Sequence, residues 1–234
     1  SGWPQPGQPQ TTHFVKRQSE FLRRAGVDVE VFQFRGSRKL RNYVTSWLKA
    51  RPLIRSGRYD LVHAQFGQSG LLALPKRLPL VVTFRGDDIQ GIISDVTGRV
   101  AVKGRLLQRL CRLVARRADA VVVVSGHMKA FFRTRAPIVV LPSGLDFELF
   151  RPVPRDEARR RLGWPSDARM VLFAGNPEQP RKRYGLAKAA VDILTRTLPA
   201  ELVVAWGVPH LEVPLFMIAC DALVCTSLQE GSPN

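Results

Sequence analysis

The chain has 234 residues, 45% of them hydrophobic and 24% charged, with 36 Lys and Arg against 19 Asp and Glu. That composition excludes a disordered or collagen-like polymer, and no apolar stretch approaches the ~20 residues of a membrane-spanning helix. The three cysteines, Cys111, Cys220 and Cys225, lack zinc-ligand spacing and read as core thiols compatible with a reducing compartment.

In chain order, the first pattern is a helix over 14–25, with Phe14, Gln18, Phe21, Leu22 and Ala25 on one side and Gly26 as its C-terminal cap. A strand at 27–34 follows, then a helix at 37–55, strands at 60–66 and 79–84, a helix at 103–118, a strand at 120–125, a helix at 126–133 and a strand at 138–142. From 144 to 165 the rhythm pauses, and Pro152, Pro154 and Pro165 surround a short charged helix at 156–162. It restarts with a strand at 170–174, helices at 184–195 and 213–219, and strands at 201–206 and 221–226. Runs such as Val121-Val122-Val123-Val124 suit strands buried on both faces, hence parallel sheet. The expectation is an α/β fold of right-handed βαβ units. It divides into a Rossmann-like domain at 1–152, a linker at 153–167 and a second parallel-sheet domain at 168–234. Their crevice would lie where the C-terminal strand ends face each other.

The net charge of +17 is unevenly spread. Residues 1–152 hold 26 Lys and Arg against 10 Asp and Glu, whereas 153–234 hold 10 against 9. A cationic first half attracts phosphate-bearing surfaces; equally, 28 of the 36 basic residues are Arg, and an arginine-rich surface can simply be solvated. The helix at 103–118 carries Leu106, Leu110, Leu113 and Val114 on one side, with Lys103, Arg105, Arg109, Arg112 and Arg116 elsewhere. Such a stripe either touches anionic lipid or packs on the sheet; packing is the ordinary outcome. No nucleic-acid-binding module is recognisable, so no nucleic acid partner is expected.

At the far end, Ala222-Leu223-Val224-Cys225 leads into Glu230-Gly231-Ser232-Pro233-Asn234. A buried strand thereby delivers a carboxylate and a glycine turn to the edge where open α/β sheets bind ligands. Backbone N–H groups at a following helix N-terminus would suit a phosphate or sugar oxygen. Lys182 and Arg183 sit at a helix start after the proline-bounded stretch from Pro177 to Pro180. Cations there oppose the helix dipole, and a bound anion would relieve that. The abrupt ends suggest an internal piece of a longer protein, with one strand before Ser1 and the rest of the second sheet outside it. Such a piece is expected to bind nucleotide-sugar poorly.

Several motifs, in this order, resemble those of the GT-B-fold retaining glycosyltransferases of family 4. They are Phe14-Val15-Lys16-Arg17-Gln18, Asp60-Leu61-Val62-His63-Ala64, Val81-Val82-Thr83-Phe84-Arg85-Gly86-Asp87-Asp88, Leu141-Pro142-Ser143-Gly144-Leu145-Asp146, Phe173-Ala174-Gly175-Asn176 with Lys182-Arg183, and Glu230-Gly231-Ser232-Pro233-Asn234. The resemblance implies that sugar moves from a nucleotide-sugar donor to a glycan or lipid-linked acceptor, in cell-surface polysaccharide or glycolipid synthesis. It implies no metal and no other cofactor. The catalytic candidates are Lys182, gripping the donor diphosphate, and Glu230. Donor-binding candidates are Asn176, Arg181, Arg183, Gly231 and Ser232, and acceptor-side or sugar-orienting candidates are Arg85 and Asp87. The implied location is cytoplasmic, with peripheral contact to an anionic membrane. Two departures stand out: Arg85 replaces the usual His, and Asn176 the usual Arg after the glycine. Arg85 cannot serve as a general base, because it keeps its proton, and Asp87 with Asp88 would neutralise it. Thr11-Thr12 replaces a usual Gly-Gly. His63 reads as structural. Another GT-B enzyme such as a nucleotide-sugar epimerase, or a non-catalytic basic binding protein, are the alternatives.

Overall fold

The computed structural model describes residues 13–34, 36, 39–93, 95 and 97–231. Four parallel strands, β1 (Val62–Gln65), β2 (Leu80–Phe84), β3 (Ala120–Val123) and β4 (Ile138–Val140), form the first sheet in that spatial order. Register runs from Val62 opposite Leu80 on β1 and β2 to Val123 opposite Val140 on β3 and β4. In the central strands Leu80, Val82, Phe84, Val121 and Val123 are solvent-free, whereas Val81 and Val122 between them are half-buried, so the two faces are unequally covered.

Helices on the faces complete this first unit. They are α1 (His13–Arg24), α2 (Leu40–Arg55), α3 (Asp87–Gln90) and α4 (Val102–Arg117). Two 3₁₀ helices, Gly67–Ala73 and Gly126–Phe131, serve as short crossovers. Gly26 ends α1 with φ +86°, and the Val27 N–H reaches back to the Leu22 carbonyl, as a glycine cap does.

Three sequence expectations need correction here. Residues 27–34 form no strand. What holds them is side-chain contact, with Phe34 edge-on to Tyr43 and Glu30 bound by Arg58 and Tyr59. On α4 the buried residues are Gly104, Cys111, Val114 and Ala115, while Leu106, Leu110 and Leu113 are exposed. Small residues let this helix approach the 3₁₀ helix Gly67–Ala73 and the backbone of Ile92 closely, with the leucine stripe turned outward. Of the three thiols only Cys111 is fully buried, and Cys225 is exposed. Burial lifts Cys220 to about 11, with the charge of Asp221 adding to it.

The second unit has three parallel strands, β5 (Met170–Phe173), β6 (Glu201–Val204) and β7 (Ala222–Leu223), in the order β6-β5-β7. Its helices are α5 (Arg155–Leu162), α6 (Tyr184–Leu194) and α7 (Val213–Ala219). The chain steps from β5 outward to β6, then returns to the other side of β5. That reversal makes a topological switch point between β5 and β7, where an open α/β sheet leaves a crevice.

The charged helix α5 packs against α7, with Trp164 edge-on to Phe216 at 5.1 Å. Arg159, only 2% exposed, donates to the Ala219 carbonyl at 2.9 Å and meets Asp221 at 3.0 Å. The other Asp221 oxygen takes Arg155 at 2.6 Å, and the Met170 N–H also donates to Asp221. One carboxylate thus ties α5 to the starts of β5 and β7.

Candidate active site

Two loops leave the C-terminal ends of β5 and β7 and meet over the switch point. After β5, Gly175 and Asn176 turn the chain. The Asn176 carboxamide oxygen accepts from the Glu178 N–H at 2.9 Å, so it closes its own loop. A 3₁₀ turn, Pro180–Lys182, follows, and Arg183 takes a left-handed backbone, φ 53°, to start α6. A non-glycine residue there is strained and persists only where surroundings enforce it. Here the Thr226 hydroxyl, in the segment after β7, donates to the carbonyls of Lys182 and Arg183 at 2.8 and 3.1 Å. The Leu228 N–H donates to the Arg181 carbonyl at 2.9 Å.

This pinning brings Lys182 Nζ within 2.6 Å of Glu230 Oε1. The side chains are 18% and 25% exposed, so both heads reach the crevice. Burial by itself pushes the Glu230 carboxyl up, but hydrogen bonds from Lys182 and Ser227 and the charges of Lys182 and Arg181 outweigh it. The net position is below the usual carboxylate range, and Glu230 is ionised at neutral pH. Arg181 donates to the Gln229 carbonyl at 3.1 Å. The guanidinium of Arg183 makes no ion pair or hydrogen bond among the described residues. Ser232 lies outside the described residues, as do Thr11 and Thr12.

The first sheet presents Arg85-Gly86-Asp87-Asp88 at the end of β2. Asp88 is buried and gathers backbone N–H groups from Gly67 (2.9 Å), Gly86 (3.0 Å) and Arg85 (3.2 Å). It therefore shapes the turn and does not pair with Arg85, and Asp87 faces the second unit. The expectation that these two acids neutralise Arg85 is corrected accordingly. Arg85 instead donates to Gln65 Oε1 (2.8 Å), Gln18 Oε1 (3.0 Å) and Ser143 Oγ (3.2 Å), and stacks over the Phe14 ring at 4.3 Å. Burial lowers its pKa to about 10, and the charge of Asp88 works the other way. His63 is held below the usual imidazole range by burial and then by Arg85, and it bonds to Thr83 at 2.8 Å.

The two loops touch. Gly86, at φ +142°, faces the Gly231 backbone. Asp87 lies 3.8 Å from Arg181 and accepts from Gln229 at 3.2 Å. Gln229 also donates to the Gly91 carbonyl at 3.1 Å, and Gln90 to the Glu230 carbonyl at 3.4 Å. Nearby, Arg17 of α1 meets His210 at 2.6 Å. The result is a polar cleft with Lys182, Glu230 and Arg181 on one wall and Arg85 and Asp87 on the other. Among the described residues no three His, Cys, Asp or Glu side chains are grouped as a metal site needs.

The sequence profile of the glycosyl transferase 4-like domain matches residues 5–144. The chain belongs to the glycosyl transferase 4-like family. Among curated relatives, a D-inositol 3-phosphate glycosyltransferase of Catenulispora acidiphila is 33% identical over 153 residues, which cover 59% of this chain and 35% of that protein. The Thermobispora bispora counterpart is 29% identical, covering 69% and 39%. The chain thus spans well under half the length of these relatives. Among solved structures, sucrose-phosphate synthase from Thermosynechococcus elongatus matches with a TM-score of 0.60 at 18% identity, covering 83% of this chain and 56% of that one. HepE of Anabaena, in complex with UDP-glucose, matches with a TM-score of 0.54 at 18% identity, covering 97% and 72%. These likenesses show the GT-B arrangement of two parallel-sheet units.

For a glycosyl transferase 4-like chain, the sequence reading found the charged residues of both walls. It missed Gln229, Gln90, Gln65 and Ser143, which do the linking. Their signal was weak but present: Gln65 is the last residue of β1, and Gln229 directly precedes Glu230. Gln18 was legible as a polar residue within the otherwise apolar side of α1.

Proposed function

We propose that the chain carries the cleft of a glycosyltransferase that moves a sugar from a nucleotide-sugar donor to a hydroxyl of a glycan or lipid-linked acceptor, with retention. The observation that carries this reading is the Lys182–Glu230 pair at the β5/β7 switch point, opposite the Arg85-Gly86-Asp87 turn. Solved relatives in complex with UDP and UDP-glucose support a uridine nucleotide-sugar as the donor.

In this account the donor diphosphate takes Lys182 away from Glu230, with Arg181 and Arg183 beside it. Glu230, ionised, then accepts hydroxyl hydrogens of the donor sugar. The bond from the anomeric carbon to the phosphate oxygen breaks, and the acceptor oxygen bonds to that carbon from the same face. The acceptor proton passes to the departing phosphate oxygen. Lys182 stabilises the charge that develops there, an electrostatic contribution that needs no enzymic base. The step uses no metal ion. A cytoplasmic enzyme of surface-glycan or glycolipid synthesis fits this chemistry.

A second observation bears on where such an enzyme works. Val102, Leu106, Leu110 and Leu113 form an exposed apolar ridge on α4, with Arg105, Arg109, Arg112 and Arg116 exposed alongside. Arg112, Arg116 and Arg133 also line a cavity of about 340 Å³ with Phe131 and Ala130. No helix among the described residues is long and apolar enough to cross a membrane. The reading is a peripheral helix whose ridge enters an anionic bilayer while its arginines meet lipid phosphates.

A donor screen on the full-length protein tests the main reading. Nucleotide release from one of a panel of nucleotide-sugars, dependent on an acceptor, is expected. Absence of turnover or binding across the panel would overturn it.

A further inference from the structure

Arg85 is a half-buried cation with no ion-pair partner; the charge of Asp88 reaches it without direct contact. Every Asp and Glu side chain of the chain lies within the described residues, and none is ion-paired with Arg85. On its own loop, Asp87 faces Arg181 and Gln229, and Asp88 spends its oxygens on backbone N–H groups. The partners of the guanidinium are neutral: two carboxamide oxygens, one hydroxyl and the face of a phenyl ring. Of the five N–H donors of an arginine, these oxygens occupy three, and Nε is buried without a partner.

Removing a cation from water without an opposite charge is costly. Arg51 is likewise buried without an acid and leaves Nε and Nη2 without partners; its head stacks on Trp47 and donates to the Pro75 carbonyl in the loop before β2. That is the opposite edge of the sheet from the cleft. Arg85 stands at the ligand edge, held by Gln18 from α1, Gln65 from β1 and Ser143 from the segment after β4. Three separate elements thus hold one planar cation in a fixed orientation at the mouth of the cleft. Arginine so held suits an oxyanion better than a neutral hydroxyl, because charge-assisted bonds are about twice as strong as neutral ones.

We infer that Arg85 reads an anionic group on the substrate, and that a carboxylate or phosphate borne by one of the two sugars seats against Arg85 Nη1 and the Ser143 hydroxyl. The inference rests on the sugar-transfer reading above and adds the substrate's charge to it. The anion can belong to the donor sugar or to the acceptor.

Calorimetric titration of the full-length protein distinguishes the two sources. One arm compares UDP-glucuronate with UDP-glucose, and the other compares glucose 6-phosphate with glucose. An anion on the donor makes UDP-glucuronate bind roughly ten-fold tighter or more; an anion on the acceptor gives that ratio for glucose 6-phosphate. Arg85→Gln is expected to erase the preference, and Arg85→Lys, which keeps the charge, to retain part of it, with melting curves confirming that both fold. Equal affinities within both pairs, or a preference that survives Arg85→Gln, would overturn the inference. UDP titrated into the unaltered protein separates the two claims. Binding of UDP without any anion preference sinks this inference alone; an Arg85-dependent preference without UDP binding supports it and sinks the donor reading.

Discussion

The carbonyl oxygen of Arg85 stands 1.8 Å from the point that a Cβ on Gly231 would occupy. No side chain fits there, so the turn after β7 meets the turn after β2 backbone to backbone. Gly231→Ala is therefore expected to force the two loops apart. Overpacking of this kind costs about 1–3 kcal/mol. The Gly231→Ala protein should melt several degrees lower and bind UDP more weakly, as read by calorimetry. An unchanged melt and unchanged UDP affinity would show that the loops do not need this approach.

Asp221 carries a second prediction, about stability. Arg159 is buried, and Asp221 is its acidic partner. Asp221→Ala leaves that cation unpaired, at a cost of about 3–5 kcal/mol in denaturant unfolding. The Met170 N–H, and then the charges of Arg159 and Arg155, hold the Asp221 carboxyl below the usual range despite some burial. A carboxyl depressed in the folded state contributes stability above its unfolded pKa and loses it as pH falls through the folded one. The wild type should thus lose stability on acidification below about pH 4, and Asp221→Asn should flatten that limb. Parallel pH profiles for the two proteins would contradict the assignment.

The Lys182–Glu230 pair makes a third prediction. Glu230→Gln removes the carboxylate that competes with a diphosphate for Lys182. UDP should bind more tightly to Glu230→Gln, while sugar transfer slows because the donor hydroxyls lose a charged acceptor. Calorimetry and an initial-rate assay read the two effects. Weaker UDP binding together with unchanged turnover would contradict the roles given to both residues.

For α4, flotation with vesicles should show binding to anionic and not to neutral bilayers, weakening as salt is raised. Leu106→Ser together with Leu110→Ser should weaken it further, since each removes exposed apolar area without touching the core. Equal binding to both vesicle types, or none, would leave the ridge for another partner.

Much of the fold was legible in the sequence because parallel strands write themselves as continuous apolar runs, even where one face is only half-buried, as at Val122, or the strand is exposed, as in β7. Val121 to Val124 is the plainest instance, with β3 spanning Ala120–Val123. Residues 27–34 carry a similar β-branched and aromatic pattern, yet no ladder forms there. Pattern reports which faces are apolar and not whether a neighbouring backbone is present. The α4 error has a different cause. Periodicity gave the leucines to the core by bulk, whereas Gly104, Cys111 and Ala115 are buried because they are small enough for a close approach. At the site, charged residues at strand ends were visible, but their pairing was not. That Lys182 meets Glu230, and that Asp87 faces Arg181, depends on two loops separated by about fifty and ninety residues of chain. Arg85 was legible as a departure from its family; its neutral surroundings were not.

The most direct test of the central claim is the turnover of Lys182→Ala in the full-length protein with its best nucleotide-sugar donor. Lys182 is assigned the charge that develops on the departing diphosphate, and loss of one such donor costs about 3 kcal/mol, or on the order of a hundred-fold in kcat. A fall of that size, in a protein that melts like the wild type, is the predicted result. Activity within a factor of two of the wild type would contradict the account.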